Sequence, residues 1–107
     1  MGIETWSESV VVAHLGDDPQ FSDDVAAVEA SDPLPHAVLD FAAVGYLNSS
    51  NLAALLRLRK LALNADRRLV LCNLNPAVWG VFLTTGLDNV FQCSSDVTTA
   101  LATIQIG

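Results

Sequence analysis

Positive charge is scarce in this chain. Lysine and arginine supply five of its 107 residues against twelve aspartates and glutamates, for a formal net charge of -7. A surface that tracks a phosphate backbone or an anionic bilayer needs a broad excess of cations, so neither direct nucleic-acid binding nor attachment to an anionic membrane is expected. The cations fall in two short groups, Arg57, Arg59, Lys60 and then Arg67, Arg68. A protein partner with a basic surface is easier to accommodate.

Long apolar runs are also missing: no stretch reaches the roughly 18 uncharged residues of a membrane helix, so no membrane insertion is expected. The opening "MGIETWSES" is acidic and polar where a signal peptide would be basic and then apolar, and Trp6 stands where a myristoylation motif wants Ser or Thr. These features predict a cytoplasmic protein.

Cysteine and histidine are too few for metal chemistry. Cys72 and Cys93 have no Cys or His neighbours, and His14 and His36 stand alone, one ending a predicted strand and the other preceding one. Both cysteines are expected to be buried, reduced thiols, and both histidines structural or solvent-facing. No glycine-rich phosphate loop and no nucleophile with its base appear, so no cofactor, metal site or catalytic residue is expected. The group Asp17, Asp18, Asp23 and Asp24 lacks the alternating ligands of a calcium loop and reads as a solvated turn and helix start.

Hydrophobic residues, by contrast, make up 51% of the chain, which argues that most elements are buried on more than one side. The length suits one core, so residues 1–107 are expected to form a single domain. "SVVVAHL", residues 9–15, is a β-branched run closed by Gly16 and "DDP", with an edge strand beside it around Thr5 to Ser7. A short helix follows Pro19, capped by Ser22. Strands are predicted at 36–41 and 68–74, separated by a leucine-rich helix that starts near Ser50 or Asn51.

A third helix has Asn75 as N-cap, Pro76 at its first position, Val78, Trp79, Phe82 and Leu83 at inward spacing, and Gly86 as its end. A last strand near Val90 to Cys93 leads to a helix with Val97, Ala100, Leu101 and Ile104 at i, i+3, i+4 and i+7. Strands alternating with helices call for right-handed crossovers and a mainly parallel sheet. The expected class is α/β, with a small mixed sheet of four or five strands and about four helices.

The block "VLDFAAVGYLNSSNLAALL", residues 38–56, ends a strand in Asp40 and Phe41 and sets Ser49 and Ser50 at the start of a helix. Unpaired backbone N–H groups and the positive end of the helix dipole make such a position hospitable to phosphate. Ser and Asn also favour helix N-caps on local grounds alone, so a plain cap is the leading reading of these residues by themselves.

This block resembles the signature of STAS domains, especially the bacterial anti-sigma factor antagonists, in which a strand ending in Asp leads through a turn to an Asp-Ser-Ser-Gly-Leu-like segment and a helix. The order of elements from residue 9 to 106 is similar to that of a compact STAS domain. The resemblance implies a non-enzymatic domain that binds an anti-sigma factor, a serine kinase or a related regulatory protein. It implies phosphorylation at Ser50, with Ser49 as the second choice, and a partner surface of Asn48, Ser49, Ser50, Asn51, Ala54 and Leu58. Asp40 would belong to the motif's scaffold.

Two positions depart from the pattern, Asn48 in place of Asp and Asn51 in place of Gly. The first removes a carboxylate beside the acceptor hydroxyl. The second adds a side chain where a kinase approaches the backbone. They motivate an alternative: a constitutive, unphosphorylated subunit docking on a transporter ATPase or a stress-signalling assembly. On a helical wheel Leu52, Leu55, Leu56 and Leu63 share one face of the helix, while Ala54, Leu58 and Leu61 lie around from it, available to a neighbouring helix or to a partner beside Ser50.

Overall fold

A computed structural model describes residues 2–106. Five strands form one sheet in the order β1 to β5: β1 (Ile3–Thr5), β2 (Val10–Gly16), β3 (His36–Ala43), β4 (Leu69–Cys72) and β5 (Gln92–Ser94). β1 runs antiparallel to β2, and every later pairing is parallel. The helices are α1 (Gln20–Glu29), α2 (Ser49–Asn64), α3 (Pro76–Thr85) and α4 (Val97–Ile106), with one 3-10 turn at Leu87–Asn89. The mixed, mainly parallel α/β architecture agrees with the reading of the sequence.

Right-handed crossovers that always step in the same direction place their helices on the same face of a sheet. Accordingly α1, α2 and α3 share one core with Leu15, Leu39, Phe41 and Leu71. Among the described residues α4 alone covers the other face, where Ala100, Leu101 and Ile104 meet Val12, Val38 and Val70. Being covered twice, the central strands read as unbroken apolar runs: Val38, Leu39, Val70 and Leu71 are fully buried.

α3 forms as its sequence dictates. Asn75 Oδ1 accepts from the Val78 N–H at 2.9 Å, Pro76 occupies the first turn, and Gly86 closes the helix at φ 75°. Val78 and Phe82 point inward and Trp79, half-buried against Phe82, packs on the same core, whereas Leu83 is exposed, contrary to the inward spacing expected of it. α4 starts on Asp96, whose carboxylate accepts from the Thr99 N–H at 2.8 Å.

Three expectations are corrected by packing. α1 starts at Gln20, before Ser22, because Asp18 is the better acceptor: its Oδ1 takes both the Ser22 N–H at 3.0 Å and the Ser22 hydroxyl at 2.7 Å. α2 turns Asn51, Ala54, Leu55, Leu58 and Ala62 inward and leaves Leu56 and Leu63 exposed, so its buried stripe is rotated from the expected leucine face. Ala54 and Ala62 allow close approach to the core, and burying Leu55 and Leu58 contributes about 1.5–3 kcal/mol each.

The third correction concerns the thiols. Cys72 is buried on the α4 face, but Cys93 is exposed. Cys93 pairs with Leu71, and Cys72 pairs with Ser94, so the two thiols point to opposite faces of the sheet and cannot join. Burial, reinforced by the charges of Asp40 and Asp96, pushes the Cys72 thiol up to about 12, which keeps it protonated and inert.

Candidate functional site

The loops after β2, β3 and β4 meet at the C-terminal edge of the parallel strands, where ligand and partner sites of α/β sheets gather. The loop between β3 and α2 is held from both sides. Asp17 Oδ1 accepts from the Gly45 N–H at 2.8 Å, and the Asn75 side-chain amide donates to the Val44 carbonyl at 2.9 Å. This clamp fixes the approach to α2.

Asn48 and Asn51 then form a reciprocal capping box. Asn48 Oδ1 accepts from the Asn51 N–H at 2.8 Å, and Asn51 Oδ1 accepts from the Asn48 N–H at 3.1 Å. Asn51 Nδ2 also donates to Asp18 Oδ2 at 2.9 Å, and hydrogen bonds from Ser22 and then Asn51 hold the Asp18 carboxyl below its ordinary range. The box occupies the N–H groups of Asn48 and Asn51. Among the described residues, those of Ser49 and Ser50 have no hydrogen-bond partner, and no acidic residue lies in the first turn of α2.

Asn48, Ser49 and Ser50 are exposed, and Tyr46 stands exposed just before them. The other three expected contact residues are not available to a partner. Asn51 is 2% exposed, Ala54 7% and Leu58 1%, because all three face the core side of α2. The inward turn of Asn51 bears directly on the departure from Gly at this position: its side chain adds no bulk to the outer surface of the corner.

A second polar group lies along the same strand edge. Neighbouring positions of β2 and β3 bring His14 Nδ1 to 2.7 Å from Asp40 Oδ2, and His14 Nε2 lies 3.1 Å from Glu4 Oε1 on β1. Asp40 Oδ1 accepts from the Ala42 N–H at 3.0 Å and from Asn73 Nδ2 at 2.9 Å. Sequence reading left Asp40 without a histidine and missed Asn73 and Asn75 as anchors. The signal for the asparagines was their place directly after β4, where a left-handed turn at Asn73, φ 58°, releases the chain into α3.

Asp23 is exposed as expected, but the other three members of the acidic group are structural where they were expected to be solvated. Asp24 is buried and accepts from the Gly2 N–H at 3.2 Å, while Asp17 and Asp18 bind the loops just described. Neither histidine nor cysteine meets enough further ligands for a metal: among the described residues no cluster of three potential ligands exists.

Bonding to Asp40, and next to Glu4, raises the His14 imidazole above 6.5. Burial pushes the Asp40 carboxyl upward, but bonds from Asn73, His14 and the Ala42 N–H outweigh it and hold the group below 3.8. The His14 contribution to stability is thus fully present below its unfolded value of 6.5 and is lost as pH rises through the higher folded value. His36 has the opposite sign, since burial, then Arg67 and Arg68, lower it. Urea unfolding from about pH 5 to pH 8 should therefore show the advantage of the native chain over His14→Gln shrinking as pH rises. A constant difference would remove the ion pair from the account.

Residues 16–100 match the sequence model of the STAS domain. No curated protein sequence gives a significant match. Among solved structures, a Thermotoga maritima chain provisionally assigned as an anti-sigma factor antagonist superposes with a TM-score of 0.83 at 15% identity, covering 96% of this chain and 92% of that one. An anti-sigma factor antagonist from Mycobacterium paratuberculosis gives 0.78 at 26% identity, covering 96% and 91%. The Bacillus cell fate determinant SpoIIAA, in its phosphorylated form, gives 0.74 at 18% identity, covering 95% and 96%.

Proposed function

The chain belongs to the STAS domain family, and from that premise we propose that it works in the cytoplasm as an anti-sigma factor antagonist or a related partner-switching component. It would bind its partner through the α2 corner, with Ser50 as phosphate acceptor and Ser49 as the second choice. One observation carries this reading: two exposed serines occupy the first turn of α2 beside N–H groups that the capping box leaves unpartnered.

A phosphate on Ser50 adds about -1.5 to -2 charge at neutral pH. The free N–H groups and the positive end of the α2 dipole offset that charge locally, so the fold tolerates it. The docking surface, in contrast, changes sign and shape. The γ-phosphoryl group would pass from ATP to the Ser50 oxygen with loss of the hydroxyl proton and departure of ADP. ATP and Mg²⁺ belong to the kinase partner, since this sequence carries no phosphate-binding glycine loop.

In this reading the docking role falls to Asn48, Ser49, Ser50 and Tyr46, whose exposure supports it, with Asn51 buried beneath them. In this reading Asn48 caps as an aspartate would, without its charge. The likeness to phosphorylated SpoIIAA supports the fold side of the argument.

Binding of the serine-kinase anti-sigma factor from the same organism tests the proposal. Ser50→Asp should weaken the complex by at least about tenfold, a difference of ~1.4 kcal/mol, while Ser50→Ala should bind as the native chain does. Incubation with kinase and ATP should add one phosphate by intact mass, abolished in Ser50→Ala. Equal binding by both variants together with no mass change would favour the constitutive docking subunit suggested by Asn48 and Asn51.

A further inference from the structure

Three of the five cationic residues, Arg59, Arg67 and Arg68, line one cavity of about 230 Å³. It lies between the C-terminal half of α2, the start of β4 and the segment entering β5, at the edge of the sheet opposite the serine corner. Leu63, Leu69, Val90 and Phe91 form its apolar walls. In so acidic a chain, this concentration of guanidinium groups calls for a reason.

Among the described residues, Arg59 and Arg67 leave much of their cationic capacity unused. Arg59 donates through Nε to the Val90 carbonyl at 3.0 Å, which fixes its guanidinium and leaves both terminal amino groups without an acceptor among the described residues. Arg67 Nη1 lies 3.5 Å from His36 Nε2. That contact satisfies nothing: His36 Nδ1 accepts from the Arg68 N–H at 2.9 Å, so in the neutral ring the proton sits on Nε2 and two donors face each other.

Carboxylates do not fill the gap. Arg57 has Glu29 at 3.7 Å, but among the described residues neither Arg59 nor Arg67 has an ion-pair partner, although Asp66 directly precedes Arg67 in the turn. Both residues are partly buried. A partly desolvated cation without acceptor or counter-ion is costly, and the guanidinium fork matches a carboxylate or phosphate in two parallel hydrogen bonds.

We propose that this cavity binds a small organic anion, with its carboxylate or phosphate group on Arg59 and Arg67 and its short apolar body against Leu63, Leu69, Val90 and Phe91. At ~30 Å³ for each water-sized group, the cavity has room for about eight non-hydrogen atoms. The part of the ligand seated in it is then the size of a short acyl carboxylate or an alkyl phosphate monoester. The site is independent of Ser50 and stands or falls apart from the partner-switching proposal.

Titration of the ¹⁵N-labelled chain with hexanoate, butyl phosphate and uncharged hexanamide tests the site. Either anion should shift the amides of Arg67, Val90 and Gln92 saturably, and the tighter of the two identifies the headgroup. Hexanamide should not compete. Arg67→Gln should weaken the anion by about tenfold or more, the loss of one charged hydrogen bond, and Arg67→Lys should recover only part of it. Because the Arg67 guanidinium makes no satisfied bond, and the backbone N–H that donates to the Ala62 carbonyl is kept in both variants, both should fold, as their amide spectra would show. Absence of saturable shifts with both anions, equal binding of hexanamide, or unchanged affinity in Arg67→Gln would overturn the proposal.

Discussion

Replacing Phe82 by alanine should lower the unfolding free energy by about 3–5 kcal/mol, measured by urea denaturation at constant pH. Its ring is fully buried, stacks on Trp79 at 6.2 Å between centroids and meets Phe91 edge-on at 5.7 Å. Deleting it removes the transfer energy of a whole aromatic side chain and leaves a void between α3 and the segment entering β5. The surrounding rings are held by separate elements and cannot all move in to fill it. A loss below about 1 kcal/mol would mean that α3 collapses onto the sheet more freely than the packing suggests.

Asp40→Ala should cost about 2–4 kcal/mol near neutral pH, through hydrogen bonding in place of packing. This carboxylate is a hub for three elements: it accepts from Asn73 after β4, from the Ala42 N–H on its own strand and from His14 on β2. Its removal strands all three donors at a partly buried position, and water can reach only some of them. Asp40→Asn should cost less, since the amide oxygen still accepts, though one side-chain position changes from acceptor to donor. Comparable stability of Asp40→Ala and the native chain would show that the three donors find water at little cost.

These two residues also divide what local sequence rules can and cannot resolve. The elements around Phe82 follow from signals within a few positions: Asn75 and Pro76 start α3, Gly86 ends it, and the unbroken apolar runs mark β2, β3 and β4. The partners of Asp40 do not. His14 lies 26 residues away and meets Asp40 only because β2 and β3 pair in a particular register, which no local pattern encodes.

The same distinction runs through the serine corner. Exposure of Ser49 and Ser50 follows from their place in the first turn of a capped helix. The direction of the α2 stripe does not, because leucines occur all round that helix. Which of them are buried is decided by how closely Ala54 and Ala62 approach the core, a tertiary matter. Leu58 and Ala54 therefore looked available to a partner and are buried. Asn51 looked like an obstruction and is a brace, since its amide has an acceptor in Asp18, a residue distant in sequence.

Both margins of the sheet end in strands of three residues, β1 at Ile3–Thr5 and β5 at Gln92–Ser94. An incoming chain that tried to extend the sheet would find only a few backbone groups to pair with on either side, and on β1 it would meet the Glu4 carboxylate. Edges this short resist sheet-to-sheet aggregation and give strand addition little to build on.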